Sequence, residues 1–590
     1  MKKAIAIVLI LWCIPISALG EERYPKRGWI PEPNPMANLH APVGGEISVF
    51  LGQYPKSLNY YLDASTQTAQ VFGSLFEALL SMNPVTMEYE PALAERCIIS
   101  KDKRTFTFFL NPNAKWSDGT PVSAHDVRWT FDAIMDPKNL TGPHKIDMER
   151  FDPPMVVDDL TIVFKAKDVH WKNLGAAGSF FILSRQMYEK KDFNKINFEF
   201  PVVSGPYGLE TIREGLSVTL KRRQDWWNRS DIRSKGLGNF ARIRFKFFAE
   251  SENAFEVFKK GQIDLFPVYT SRLWVNETRG DRFSNHWIVK QKVVNSNPIG
   301  FQGFAMNMRK PPFDDLKVRK AMAFLLDREK MNATLMYNQY FLHRSYFEDL
   351  YDSENPCPNP MIRFDKNQAR ALLREAGWLT DPETGFLVKN GKRFSFKFLT
   401  RDASSEKFLS IFAEDLKDVG IELVIDRKDW AAWAQDMDQF NYQMTWAAWG
   451  AGVFKDPEGM WSSKEADRKG SSNITGLKNA RVDALIEAQR PLFNVRERNA
   501  ICREIDRILC EAFPYVLLWN INYTRLLYWN KFGTPSTVLP KYGDESSAYW
   551  YWWADPDSAA DLKDAVEAGL MLPPREPLIR FDALFSNTPN

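Results

Sequence analysis

An α/β fold is predicted by three features of this sequence. Between residues 315 and 520 helical and strand patterns alternate, the order that builds a sheet covered by helices. Upstream, Ala94 to Ile134 reads as strand, turn and capped helix. The chain has 590 residues, well beyond the ~100–200 of one domain, so several such units are expected. The alternation predicts a largely parallel sheet in the later part of the chain.

The first twenty residues read as a secretory leader. Lys2 and Lys3 precede an apolar run from Ala4 to Ile14, short for a bilayer span, and Ala18-Leu19-Gly20 offers small residues for cleavage. Cys13 lacks the small neighbours of a lipoprotein site, so an exported chain without a lipid anchor is expected. Glu21 to Val43 carries Pro25, Pro31, Pro33, Pro35 and Pro42 and predicts an extended surface arm or flexible leader. Gly45 to Gly52 predicts a strand. Ala69 to Leu80 predicts a helix, with Val71, Leu75, Leu79 and Leu80 inward.

In the Ala94–Ile134 stretch, Phe106, Phe108 and Leu110 alternate with Thr105, Thr107 and Phe109, the period of a strand with unequal faces. Asn111-Pro112-Asn113 ends it. Ser117-Asp118-Gly119 turns the chain, with Gly119 free to take positive φ. Ser123 caps the next helix and Asp126 completes the capping box, so Val127, Phe131 and Ile134 face inward. Strands follow at Asp158–Ala166, Val218–Leu220 and Ala241–Phe248, then a helix at Ala254–Lys260. Asp314 is expected to cap a helix whose inner face is Val318, Met322 and Leu325. Asp365 caps another, ended by Gly377. Phe408–Val419 ends at Gly420, before a strand of Ile421, Leu423 and Ile425. Asn494 caps the helix that runs to Ala512.

Composition excludes several functions. Without Lys2 and Lys3, 75 basic side chains face 74 acidic ones, which gives no basis for nucleic-acid or membrane-surface binding. Aromatics make up 14%, with 20 Trp, a surplus that serves core, binding surface or both. Cys97, Cys357, Cys502 and Cys510 are expected as buried thiols; a Cys97–Cys357 bridge is the alternative. The six His, at 40, 125, 144, 170, 286 and 343, have no metal-site spacing, so no metal and no cofactor are expected. No hydrolase, zinc-protease or nucleotide-loop motif is present, and no enzyme is expected.

The signature W-S-D-G-x-P-[VLI]-[ST]-A-x-D-V stands here as Trp116 to Val127. It resembles that of the family 5 extracellular solute-binding proteins, the dipeptide, oligopeptide and nickel receptors of ABC importers. Phe76 to Leu80, Glu90 to Ala94, Ser204 to Tyr207, Gly261 to Asp264 and Met306 to Asp327 match further family elements. The resemblance covers roughly residues 44 to 555. The Pro-rich arm, Gly470 to Ile486 and Tyr551 to Pro556 resemble most the Yej-type branch, which takes up oligopeptides and antibiotics of the microcin C kind.

That resemblance implies a two-lobed α/β periplasmic binding protein with an extra subdomain and mixed sheets. It maps lobe I to 44–70, 203–297 and 535–590, the subdomain to 71–202 and lobe II to 298–534. It implies a monomer that closes on an oligopeptide and delivers it to an ABC permease in the inner membrane. An oligosaccharide or glycopeptide receptor is the alternative, and an exported hydrolase a more remote one. The signature itself reads as a folding element that touches no ligand.

Relatives hold the peptide α-ammonium with an Asp three residues before an Asp-Pro pair. Here Asp456-Pro457 is preceded at that position by Val453. Either Asp456 takes the amine itself or the ligand is anchored elsewhere; as a turn carboxylate it would cap the next helix instead. Trp446 and Trp449 fall on opposite faces of one strand, one for the core and one for the cleft. Gly450 allows close backbone approach. Arg401 suits a ligand carboxylate. Tyr54 and Asn59 are candidates for the opposite wall.

Overall fold

The structure, a computed structural model, describes residues 22–585. The expected leader, Met1 to Gly20, lies outside the described residues.

Three sheets carry the architecture. An eight-stranded mixed sheet collects strands from distant parts of the chain. Glu46–Phe50 lies parallel to Arg242–Lys246 and to Leu265–Pro267. Ile288–Val294 and Leu265–Pro267 both pair antiparallel with Thr524–Trp529. That last strand was expected in lobe II, which was drawn to residue 534. Its buried Leu526, Leu527 and Tyr528 lie between two neighbours of this sheet, which places the strand with Glu46–Phe50.

A five-stranded antiparallel sheet forms the subdomain, and its edge is the arm. Glu22–Tyr24 pairs with Cys97–Ile99, and Met36 is buried. The arm is therefore docked through ladder hydrogen bonds rather than loose. The signature folds as expected. Phe106, Phe108 and Leu110 are buried, Gly119 has φ +87°, and Ser123 and Asp126 form the capping box. Ser117 exchanges hydrogen bonds with Val203, N to O at 2.9 Å and Val203 N to Oγ at 3.0 Å.

One helix is shorter than its pattern. Thr66–Leu75 ends there because Gly205 N donates to Leu75 O at 2.7 Å and Glu77 N donates to Ser204 Oγ at 2.9 Å. The Ser204-Gly205 turn takes the terminal groups that a continuing helix would use, and Leu80 starts a strand.

The second lobe is built on the sheet Glu422–Arg427, Ser395–Thr400, Met444–Trp449, Phe301–Met306, Tyr515–Leu517. The first three strands are mutually parallel, and Phe301–Met306 pairs antiparallel with both Met444–Trp449 and Tyr515–Leu517, so the sheet is mixed rather than largely parallel. Its helices keep their expected caps at Asp365 and Asn494, which accept from first-turn N–H groups, and Asn479 caps a further helix in the same way. The helix Leu316–Phe324 is capped by Asp315, one residue past the expected Asp314. Two hydrophobic clusters cover the two faces of this sheet, one around Phe304, Phe398 and Met444, the other around Phe301, Leu399 and Tyr515. The first lobe and the subdomain share a single core that joins Ile47 and Phe245 to Phe106 and Phe164. The four cysteines among the described residues, Cys97, Cys357, Cys502 and Cys510, are all free.

Candidate ligand-binding site

The three parallel strands of the second lobe end at one edge. Leu399 is in register with Asp426 and Thr445, so the chain after Thr400, Arg427 and Trp449 emerges side by side. The carboxyl ends of strands in open α/β sheets are where ligands bind, because the loops there diverge to different faces.

Trp449, Gly450 and Arg401 all sit at this edge. Gly450, Ala451 and Gly452 are exposed, and neither Gly450 nor Ala451 forms a hydrogen bond among the described residues. A Cβ added to Gly450 would meet nothing within 4 Å. The sheet thus offers open backbone to an incoming strand. Trp449 is half-buried and donates from Nε1 to the Tyr515 hydroxyl at 3.1 Å. Lys455 ties the far side of the loop down through Asp349 at 2.5 Å and Gly452 O at 2.8 Å.

Arg401 has no carboxylate partner among the described residues. Its guanidinium lies 4.3 Å over the Trp430 ring and 4.7 Å over Trp433. The two indoles stack at 5.3 Å, and Trp430 is 56% exposed. Both tryptophans escaped the sequence reading. Their signal was present: two Trp three apart on a helix capped by Asp429, directly after a strand.

Other expected residues are placed elsewhere. Trp446 points to the opposite face, donates to Gln302 Oε1 at 3.0 Å and packs on Phe304, Phe408 and Trp519. It is the core member of the pair. Asp456 is engaged within the protein. Its Oδ2 takes Lys172 Nζ at 2.9 Å and its Oδ1 takes Glu458 N at 3.1 Å, so it caps a turn and clasps the subdomain. Asn59 is fully buried: its Oδ1 accepts from Tyr61 N at 3.1 Å and its carbonyl accepts from Leu62 N at 2.9 Å. It shapes its own turn and lines no wall. Tyr54 stacks on Phe198 at 5.5 Å and meets Phe247 edge-on at 5.1 Å, and burial raises its hydroxyl pKa.

The clasp around Asp456 extends along the subdomain. Trp171 N donates to Arg490 O at 2.9 Å, and the Arg498 guanidinium covers the Trp171 ring at 4.2 Å. Glu458 takes Arg490 and faces His170 Nε2 at 3.5 Å. The hydrogen bond from His170 and then that from Arg490 hold its carboxyl down at about 2, against the opposing effect of burial.

The lobes are joined by two crossings, near residues 295–300 and 520–523. Gly300 has to be glycine: a Cβ there would lie 1.9 Å from Trp449 O. A cavity of about 190 Å³ opens between the crossings, lined by Tyr269, Asn297, Gly300, Tyr523, Arg525 and Glu545 among others. The Tyr269 hydroxyl donates to Glu545, whose carboxyl is pushed up by burial and by Asp544. The second lobe reaches back here: Tyr340 OH donates to Tyr269 O at 3.3 Å, and Tyr523 OH donates to Gln339 O at 3.1 Å. Among the described residues no group of three or more His, Cys, Asp and Glu is placed to hold a metal ion. No described helix is long and apolar enough to cross a membrane.

The sequence profile of the bacterial extracellular solute-binding proteins, family 5 Middle, matches residues 88–471. A putative binding protein of Brucella melitensis is 27% identical over 88% of this chain and 91% of its own length. The probable peptide-binding protein YejA of Agrobacterium fabrum is 26% identical over 92% of this chain and 94% of its own. The fold is that of the oligopeptide-binding protein AppA from Bacillus subtilis, solved with a nonapeptide. The two superpose with a TM-score of 0.69 at 19% identity, over 87% of this chain and 99% of that one.

Proposed function

Since the chain belongs to the family 5 bacterial extracellular solute-binding proteins, binders rather than catalysts, we propose that it captures oligopeptides, modified or cell-wall peptides included. Capture takes place in the periplasm, and a membrane-embedded ABC permease receives the ligand. The observation that carries this reading is the open backbone at Gly450 and Ala451, at the end of a strand whose other residues are paired. An extended peptide adds there as a further strand, with Trp449 beneath it and the Arg401–Trp430–Trp433 stack beside it.

Binding draws the lobes together by making contacts on both sides of the cleft, and the closed form is what the permease recognises. The relatives' amine-anchoring Asp is absent at Val453, and Asp456 is already paired, so backbone pairing and aromatic contact supply more of the affinity. The protein acts as a monomer, without a cofactor.

Native mass spectrometry of the protein purified without denaturation tests this reading. A ladder of bound peptide masses is the expected result. A single non-peptide mass, or a bound peptide returned cleaved, would overturn it. The exposed Trp430 face favours one second reading, a sugar-bearing peptide laid on the indole pair, which would show a defined glycan increment in the same spectrum.

A further inference from the structure

The hinge cavity contains a cation with no carboxylate partner among the described residues. Arg525 is 2% exposed, and its Nε has no hydrogen-bond partner. Its other contacts sit at the limit of a hydrogen bond: Nη1 to Tyr269 O at 3.5 Å and Nη2 to Tyr523 OH at 3.5 Å. Aromatic rings surround the guanidinium, with Tyr340 at 5.3 Å, Tyr523 at 5.6 Å and Trp274 at 6.0 Å. Buried guanidinium groups are ordinarily matched by a carboxylate.

The surroundings add positive charge. Lys292 lies directly opposite Arg525 in the ladder, and Lys290 is two residues along on the same face. Lys292 is satisfied only by Gln339 Oε1 at 3.4 Å and the Tyr523 ring; Lys290 donates to Trp274 O and Thr278 Oγ1, both at 2.7 Å. None of the three has an ion-pair partner among the described residues. Burial, Lys292, Arg525 and Arg279 all push the Lys290 ammonium pKa down, with no carboxylate opposing them. The one acid lining the cavity, Glu545, is held by Tyr269 and does not pair with Arg525.

We propose that the hinge cavity is a carboxylate subsite in which Arg525 receives an anionic end of the bound ligand. The cavity volume, about 190 Å³, suits a single residue-sized group and not a whole peptide. Gly300 lines it and touches Trp449 and Gly450, so the subsite continues from the open backbone at the sheet edge. It lies between the two lobe crossings, next to the Gln339 and Tyr340 contacts from the second lobe, where an anion binds the halves together. The identity of the carboxylate as a peptide's rests on the peptide reading above; the anion site does not.

Two measurements on the full chain separate the sources of the anion. Crystals soaked in potassium iodide should show an anomalous peak within hydrogen-bonding distance of Arg525. The absence of a peak in this cavity, with iodide bound elsewhere on the molecule, would overturn the site. In parallel, a tryptic digest of casein is offered to the immobilised protein beside the same digest with its carboxyl groups amidated. Retention of the amidated digest should fall at least about tenfold, and Arg525→Gln should abolish the difference. Equal retention of both digests would leave only a free inorganic anion at Arg525 and overturn the carboxylate assignment. If neither digest is retained, the peptide reading has failed, and the iodide soak on its own decides for or against the anion site.

Discussion

Lys172 of the subdomain donates to Asp456 of the second lobe across 2.9 Å, and the pair spans two bodies whose cores are separate. The pair decides the role of Asp456. With Glu458 N on its other oxygen, both oxygens of this carboxylate are engaged within the protein. Asp456→Asn should therefore change peptide affinity by no more than about fivefold, the ~1 kcal/mol of a partly exposed ion pair. It should also enlarge the radius of gyration of the unliganded protein in small-angle scattering, as the clasp weakens. A hundredfold loss of affinity would show that the Lys172 pair gives way to a ligand amine.

Gly450 has room for a side chain, and the proposed added strand would need that room. Nothing lies within 4 Å of the position its Cβ would take. Gly450→Val should leave the melting temperature within about 2 °C of the parent, as exposed substitutions do. The branched side chain would stand where the peptide backbone has to approach, and affinity by calorimetry should fall at least about tenfold. Unchanged affinity would move the peptide off this edge.

The family and the scaffold were legible in the sequence because they rest on local rules. The capping box of Ser123 and Asp126, the positive φ of Gly119 and the caps at Asp365 and Asn494 depend on residues a few positions apart. The site was less legible. Trp449, Gly450 and Arg401 could be placed together at one sheet end because a strand end can be read from its own pattern. Asp456 stayed open between a turn cap and an amine anchor because its partner, Lys172, is 284 residues away. Arg525 carries no signal in the sequence for the same reason: what singles it out is the absence of a carboxylate around it among the described residues. Asn59 looked like a wall residue only because turn polarity and cleft polarity are spelled with the same amino acids.

Trp430 and Arg401 offer a test of what the cleft wall recognises. Their stacking at 4.3 Å is largely exposed, so neither side chain carries much of the fold, ~0.5–1 kcal/mol for a cation–π contact of this kind. Trp430→Ala should leave the unfolding midpoint nearly unchanged and weaken ligand binding by up to about tenfold. Trp430→Phe should restore most binding of an unmodified peptide. Failure of Phe to restore binding would favour the sugar-bearing ligand, which depends on the larger indole face.

Glu77 predicts a pH dependence of stability. It is packed under Trp226 and Trp227, whose indole N–H groups donate to its Oε2 at 3.3 and 2.8 Å. Burial raises its carboxyl from 4.5 to about 7, outweighing those two hydrogen bonds and the nearby Arg223. A carboxyl with a raised folded value binds a proton more tightly folded than unfolded. Its stabilising contribution is thus complete below about pH 4.5 and lost as the pH climbs through 7, by at most about 3 kcal/mol. The midpoint of urea unfolding should fall between pH 5 and pH 8 in the parent protein. Glu77→Gln stays neutral and keeps an acceptor for Trp227, so its midpoint should change less over the same range and lie above the parent's at pH 8. Parallel pH profiles for the two proteins would assign the dependence to another group.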